Sequence, residues 1–155
     1  MFPIKKVLWP TDFSEPAEKG LEAAVGVAER FSAELVLVHV VRPPITPAGS
    51  IATAAAAAEG FRAPLIIEEL EKSAREKMRA VAQDRVPGGV PSRSLVLVGR
   101  PAEEISRVAE EEKIDLIVMA THGQSGWGRI FFGSVAEQVV RLAECPVLTV
   151  KRPRE

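Results

Sequence analysis

The residues of this 155-residue chain best suited to chemistry are concentrated in one stretch. "VMATHGQSGWGRIFFGSVAEQVV", Val118 to Val140, places four glycines, Thr121, His122, Ser125 and Ser134 between an apolar run and an amphipathic repeat. Glycines permit positive φ and let backbone N–H groups come close to an anion. Gly133 and Ser134 fall where a helix should begin, and a helix start carries unpaired N–H groups and partial positive charge. The chemistry this suits is capture of an anion at a helix N-terminus. The Ser134 hydroxyl either caps that helix or bonds the anion, and spacing alone does not choose between them. No Gly-Lys-Ser/Thr follows the glycines, as a Walker A loop would require. "GQSGWG" carries its glycines in the reverse order of G-x-G-x-x-G. Arg129 is the only formally cationic side chain between Ala120 and Ser134. Phosphate binding there would depend on amides and a metal more than on side-chain charge.

Asp12, in "WPTDFS", is the other strong candidate. It stands just past a strand and is read as a ligand contact, the alternative being a cap or turn acceptor beside Ser14. His39 lies in an apolar run and is read as a hydrogen-bonded core residue. With His122 it makes only two histidines, and no carboxylate grouping suggests a metal site. Trp127 is read as an ordinary loop aromatic, Arg100 as a solvated arginine, and Glu110, Glu111 and Glu112 as a solvated helix end. Cys145, the single cysteine, excludes an internal disulfide and a cysteine zinc cluster, and is read as a small buried residue. Enzyme readings find little support, because no P-loop lysine, kinase catalytic loop or G-x-S-x-G elbow is present.

These residues must be held by something. Five apolar runs read as buried strands: "KKVLWP" near Val7, Glu34 to Val41, Ser94 to Gly99, Asp115 to Ala120 and Pro146 to Lys151. They do not alternate with polar residues, which favours a parallel sheet covered on both faces. Helical periods lie between them. Leu21, Ala24, Val25, Ala28 and Phe31 follow Ser14 as N-cap, and Ile66, Leu70, Ala74, Met78 and Val81 form a second stripe. Pro101 opens a third helix with Ile105, Val108 and Ala109 inward. Ser134 and Glu137 have capping-box spacing for a fourth, with Val135, Val139 and Leu142 on one face. The fold expected is a single α/β domain over 1–155, doubly wound, with a five-stranded parallel sheet and helices on both faces, Rossmann-like. Ligands in such sheets bind beyond the C-terminal strand ends, near the reversal of strand order. The proline- and alanine-rich segment 42–64 breaks the rhythm and reads as an insertion, partly helical through Ala54 to Ala58.

Charged residues are 26% and the formal net charge is -1, so no overall basic field draws the chain to nucleic acid or anionic lipid. No apolar run approaches the ~20 residues of a membrane helix, and "MFPIKKVLWP" has too short an apolar part for a signal peptide. A cytoplasmic location is therefore expected. The apolar strand Pro146 to Lys151 at the end of the sequence reads as a sheet edge open to pairing with a second copy.

"PTDFS", "HVV", "VGRPAEEI" and "ATHGQSGWGRIFFGSVAEQVVR" through "CPVLTVK" together resemble the universal stress protein family, over nearly the whole chain. The family's nucleotide-binding branch carries G-x2-G-x9-G-S/T. Here the spacing is kept as Ala120, Gly123, Gly133 and Ser134, with alanine at the first glycine. The resemblance implies the adenine nucleotide alpha-hydrolase-like fold, binding of ATP with Mg²⁺, and a dimeric, nucleotide-responsive role in stress response, without catalysis. It implies that Pro10, Thr11, Asp12 and the Val40 backbone face the adenine end. Met119, Ala120 and His122 would flank ribose and phosphates, with Gly123, Gly133, Ser134 and Val135 as phosphate donors and Gly99 as a further border of the crevice. It implies a homodimer through Pro146–Lys151, and magnesium held mainly by phosphate oxygens and water. If Ala120 is extended, its methyl costs little; if it needs positive φ, the strain is about 1 kcal/mol or more. A nucleotide-free interaction module and a slow ATP hydrolase are the competing readings.

Overall fold

In the computed structural model, residues 3–44, 62–121 and 133–151 are described. The expected insertion, apart from its first and last residues, and His122, Gly123, Ser125, Trp127 and Arg129 lie outside them. The described elements are β1 (Lys6–Pro10), α1 (Glu15–Phe31), β2 (Glu34–Val41), α2 (Arg62–Arg85), β3 (Ser92–Val98), α3 (Pro101–Glu111), β4 (Leu116–Ala120), α4 (Ser134–Leu142) and β5 (Val147–Val150). All strands are parallel, in the order β3-β2-β1-β4-β5. The order reverses between β1 and β4.

Two apolar layers cover the sheet. On one face Leu21, Ala24, Val25 and Ala28 of α1 and Met78 of α2 pack with Val7, Trp9, Leu35 and Leu37. On the other, Ala102, Ile105, Val108 and Ala109 of α3 and Ala136 and Val139 of α4 pack with Leu8, Val36, Val38 and Ile117. Burial on both sides explains the unbroken Val/Leu/Ile runs.

Local signals set several helix ends. Ser14 caps α1, its hydroxyl accepting from the Ala17 N–H at 3.4 Å, and Pro101 opens α3. Four helix expectations are corrected. Gly133, not Ser134, is the cap residue of α4, and no side chain caps it. The capping-box spacing is thus unused: Ser134 is already helical, and the Glu137 N–H donates to the Gly133 carbonyl. Leu142 is exposed, and Ala136 takes its place on the buried face of α4. In α2 only Ala74 and Met78 of the stripe are buried, while Ile66 and Leu70 are exposed, as is Phe31 at the end of α1. At these positions the apolar period continues past the buried layer of the described sheet.

Strands β1 and β4 pair only at Val7–Leu116 and Leu8–Ile117. Side alternation explains why they part. The Glu34 N–H donates to the Lys5 carbonyl and the Thr11 N–H to the Val38 carbonyl, so odd-numbered residues of β1 face β2. The Asp115 N–H donates to the Lys6 carbonyl, so even-numbered residues face β4. Pro10 is where the next donor toward β4 would stand, and proline has none.

At the opposite end, the Asp115 carboxylate accepts from the Lys5 and Lys6 N–H groups at 2.8 and 2.9 Å. It fixes the start of the central strand. Asp115→Ala leaves both amides without this acceptor and is expected to cost about 1–2 kcal/mol, read as a lower urea midpoint at unchanged slope. Nearby, Glu112 is not a free solvated acid. It pairs with Arg93 and Lys6, and Arg93 also reaches Glu34 at 2.8 Å.

Candidate functional site

The splayed ends of β1 and β4 open into a cavity of about 620 Å³. Its lining includes Pro10, Thr11, Asp12, Val40, Met119, Ala120, Gly133, Ser134 and Val135. Of the described residues that the sequence singled out for the site, all but Gly99 are therefore brought to one place. His122 and Gly123 lie outside the described residues. Gly99 and Arg100 are absent from the lining, and Arg100 is turned to Glu103 at 3.1 Å.

The floor is built from the turn "TDFS". The Phe13 N–H donates to Thr11 Oγ1 at 2.9 Å, and the Ser14 N–H to Asp12 Oδ1 at 3.0 Å. Asp12 thus does turn work while its side chain lines the cavity. Between these bonds Phe13 is held at φ 62, a left-handed conformation that costs a non-glycine residue roughly 1–2 kcal/mol. The payoff is direction: its ring lies 4.4 Å, centroid to centroid, from that of His39. His39 Nδ1 donates to the Thr11 carbonyl at 2.8 Å, so Nδ1 carries a proton whatever the ring's charge.

Burial pushes the His39 pKa below the usual value, outweighing the Thr11 carbonyl and Asp12, which favour the charged ring; Lys77 adds to the lowering. Because the folded state disfavours the imidazolium, stability should fall as pH drops below about 6.5, the value expected for an unfolded histidine. His39→Gln should flatten that part of the profile. Urea midpoints at pH 7.5 and 5.5 for both proteins check this, and an equal acid loss in the variant would refute it.

The opposite lip is the first turn of α4. The Gly133 N–H is given to the Thr121 carbonyl, joining the helix start to the end of β4. The amides with no intrahelical acceptor are then those of Ser134, Val135 and Ala136, which all line the cavity. With no capping bond, the exposed Ser134 hydroxyl joins this donor set. Ala120 closes β4 beside Val150 in the ladder and is not among the positive-φ residues, so alanine is unstrained at the position where the motif has glycine.

Sequence reasoning missed the third wall. Ser73, Ala74 and Lys77 of α2 line the cavity, as do His39, Val41 and Arg42 at the end of β2. Lys77 Nζ stands 5.4 Å from the centroid of the Phe13 ring. The available signal was Ser73 and Lys77 one helical turn apart, with Arg42 directly after an apolar strand.

A cavity at a strand-order reversal, framed by a helix start, is what the resemblance demanded. The model of the universal stress protein family matches residues 3–151. The chain belongs to the universal stress protein family. A universal stress protein of Methanocaldococcus jannaschii is 38% identical over 151 residues, covering 97% of this chain and 84% of the relative. A solved structure, of a protein described as hypothetical and studied for structure-based assignment of its biochemical function, superposes with a TM-score of 0.81 at 31% identity, covering 98% of this chain and 99% of that one. The universal stress protein of Archaeoglobus fulgidus in complex with dAMP shares the fold, with a TM-score of 0.56 at 23% identity and 97% and 100% coverage. In this universal stress protein, Ala120, Gly133 and Ser134, the described positions that keep the spacing of the glycine motif with alanine at its first place, lie on the β4–α4 side of the cavity. No helix among the described residues is long and apolar enough to cross a membrane.

Proposed function

We propose that this universal stress protein binds ATP, carried as Mg-ATP, and works as a nucleotide-responsive dimeric regulator in stress response rather than as a catalyst. One observation carries the reading: the α4 amides and the residues at the ends of β1, β2 and β4 converge on one cavity of about 620 Å³, within the usual range for small-molecule sites. Val40, Ile105, Met119 and Pro101 offer apolar surface for a base, and Asp12 offers a carboxylate near it. The first turn of α4 offers amide donors for phosphate.

Magnesium fits this cavity as a passenger on phosphate. Asp12 is the one acidic side chain in the described lining, and the described residues contain no cluster of three potential metal-ligating groups. When bound, the ion would neutralise phosphate charge, with oxygens of the ligand and water as its main partners. The protein's own residues bind and orient the nucleotide.

Pairing of two copies through β5 belongs to the same proposal. Within the described sheet β5 is an edge strand, bonded to β4 alone, and its Leu148 is exposed. So does residence in the cytoplasm. A nucleotide response requires unequal affinity for two conformations, so occupancy must alter the surface offered to a partner.

Denaturing freshly purified protein should release adenine nucleotide, and the stripped protein should give heat when titrated with Mg-ATP. No release and no heat at millimolar ligand would overturn the proposal. The nucleotide-free alternative rests on the Ala120 methyl. It gains support if Ala120→Gly binds Mg-ATP where the parent does not. Sustained phosphate release over many turnovers would replace regulation by hydrolysis.

A further inference from the structure

The α2 wall carries charge that a nucleotide bound only at α4 would leave unused. Ser73 and Lys77 are one turn apart on α2 and both line the cavity, with Arg42 entering from the end of β2. Two arginines of α2 turn to carboxylates: Arg75 to Glu71, and Arg85 to Glu18 and Glu22. Among the described residues no ion pair uses Lys77 or Arg42, and Lys77 instead stands over the Phe13 ring. A cation on a ring face keeps its N–H donors for other acceptors, and a second cation, Arg42, in the same lining favours an anionic guest.

This wall is not part of the α4 lip. Phe13 and Ala17 belong to the apolar layer under α1 and α2, whereas Val40, Ile105, Met119 and Ala136 belong to the layer under α3 and α4. The cavity straddles the strand ends and touches both layers. A phosphate chain held by the Ser134, Val135 and Ala136 amides therefore occupies one side, and Lys77 waits on the other.

We infer that the α2 wall is a second anion subsite, in which Lys77, with Ser73 and Arg42, holds a phosphate on the ribose of a nucleotide whose 5′-phosphate lies at α4. The preferred ligand class is then an adenine nucleotide with two separately placed phosphates, one at the 5′ position and one at the 2′ or 3′ position. The inference rests on the nucleotide reading above and goes beyond it.

Calorimetric titration with AMP, adenosine 2′,5′-bisphosphate, adenosine 3′,5′-bisphosphate and Mg-ATP separates the two. At least one bisphosphate should bind about tenfold more tightly than AMP, the scale of one partly exposed charge-assisted contact. In Lys77→Ala the affinity ratio of that bisphosphate to AMP should fall to about one, and in Lys77→Arg it should be largely kept. Lys77 is exposed on its helix, so both variants should melt like the parent. Equal affinities for AMP and both bisphosphates in the parent, or an advantage that survives Lys77→Ala, would overturn the subsite while leaving ATP binding intact. Failure of all four ligands would overturn the nucleotide reading and this inference together.

Discussion

Gly20→Val should lower the stability of this protein by about 3 kcal/mol, the upper part of the usual range for overpacking a core. Gly20 sits on the buried side of α1 against the end of β4. A Cβ there would meet the Ala120 backbone nitrogen at 3.2 Å, Trp9 Nε1 at 3.2 Å and the Met119 carbonyl carbon at 3.5 Å. Two of these neighbours are backbone. The third belongs to a buried indole whose N–H donates to the Ala17 carbonyl at 2.9 Å. None can yield cheaply, so α1 itself must move. At roughly 2–4 °C per kcal/mol for a chain of this size, the melting temperature should fall by roughly 6–12 °C. Gly26 supplies the control from the same helix, since nothing lies within 4 Å of its would-be Cβ. Gly26→Ala should raise stability by roughly 0.5–1 kcal/mol, the ordinary gain from replacing glycine inside a helix. Thermal melts of both variants decide the matter, and a Gly20→Val protein that melts like the parent would show the packing to be misread.

Replacing Asp12 should weaken nucleotide binding by about 10–100-fold, the effect of removing a charged hydrogen-bonding group. Its two roles can be pulled apart. Asp12→Ala removes the acceptor of the Ser14 N–H, so the turn that holds Phe13 should loosen and stability should drop by about 1 kcal/mol. Asp12→Asn keeps an Oδ1 acceptor for that amide but loses the charge. The asparagine variant should melt close to the parent and still show most of the affinity loss. Mg-ATP titrations beside thermal melts check this. If Asp12→Asn binds like the parent, the carboxylate serves the turn alone.

Much of the fold could be read in the chain because a sheet buried on both faces writes its strands as uninterrupted Val, Leu and Ile. The second strand, Glu34–Val41, was bounded to the residue. Periodicity misled where it continues past the buried layer of the described sheet, leaving Ile66, Leu70, Phe31 and Leu142 exposed. Ser134 misled for a different reason. Serine followed three residues later by glutamate describes a capping box, but Gly133 is tied to Thr121 and takes the cap position itself. The β-strand ends of the site were legible because strand order dictates where a crevice opens. Lys77 and Arg42 were not, since only the docking of α2 through Ala74 and Met78 brings that helix to the crevice. The one-turn spacing of Ser73 and Lys77 in "EKSAREKM" puts them on one side of a helix but does not by itself show that this side borders a cavity.

Pro10 carries a consequence for energetics. Where two strands are parted by an imino acid rather than by a hinge, the gap is written in covalent structure. A guest entering it has no ladder to unzip, so none of its binding free energy is drawn off in rupturing the sheet. An empty protein should keep the same parted geometry, with the free energy of encounter going into contacts alone.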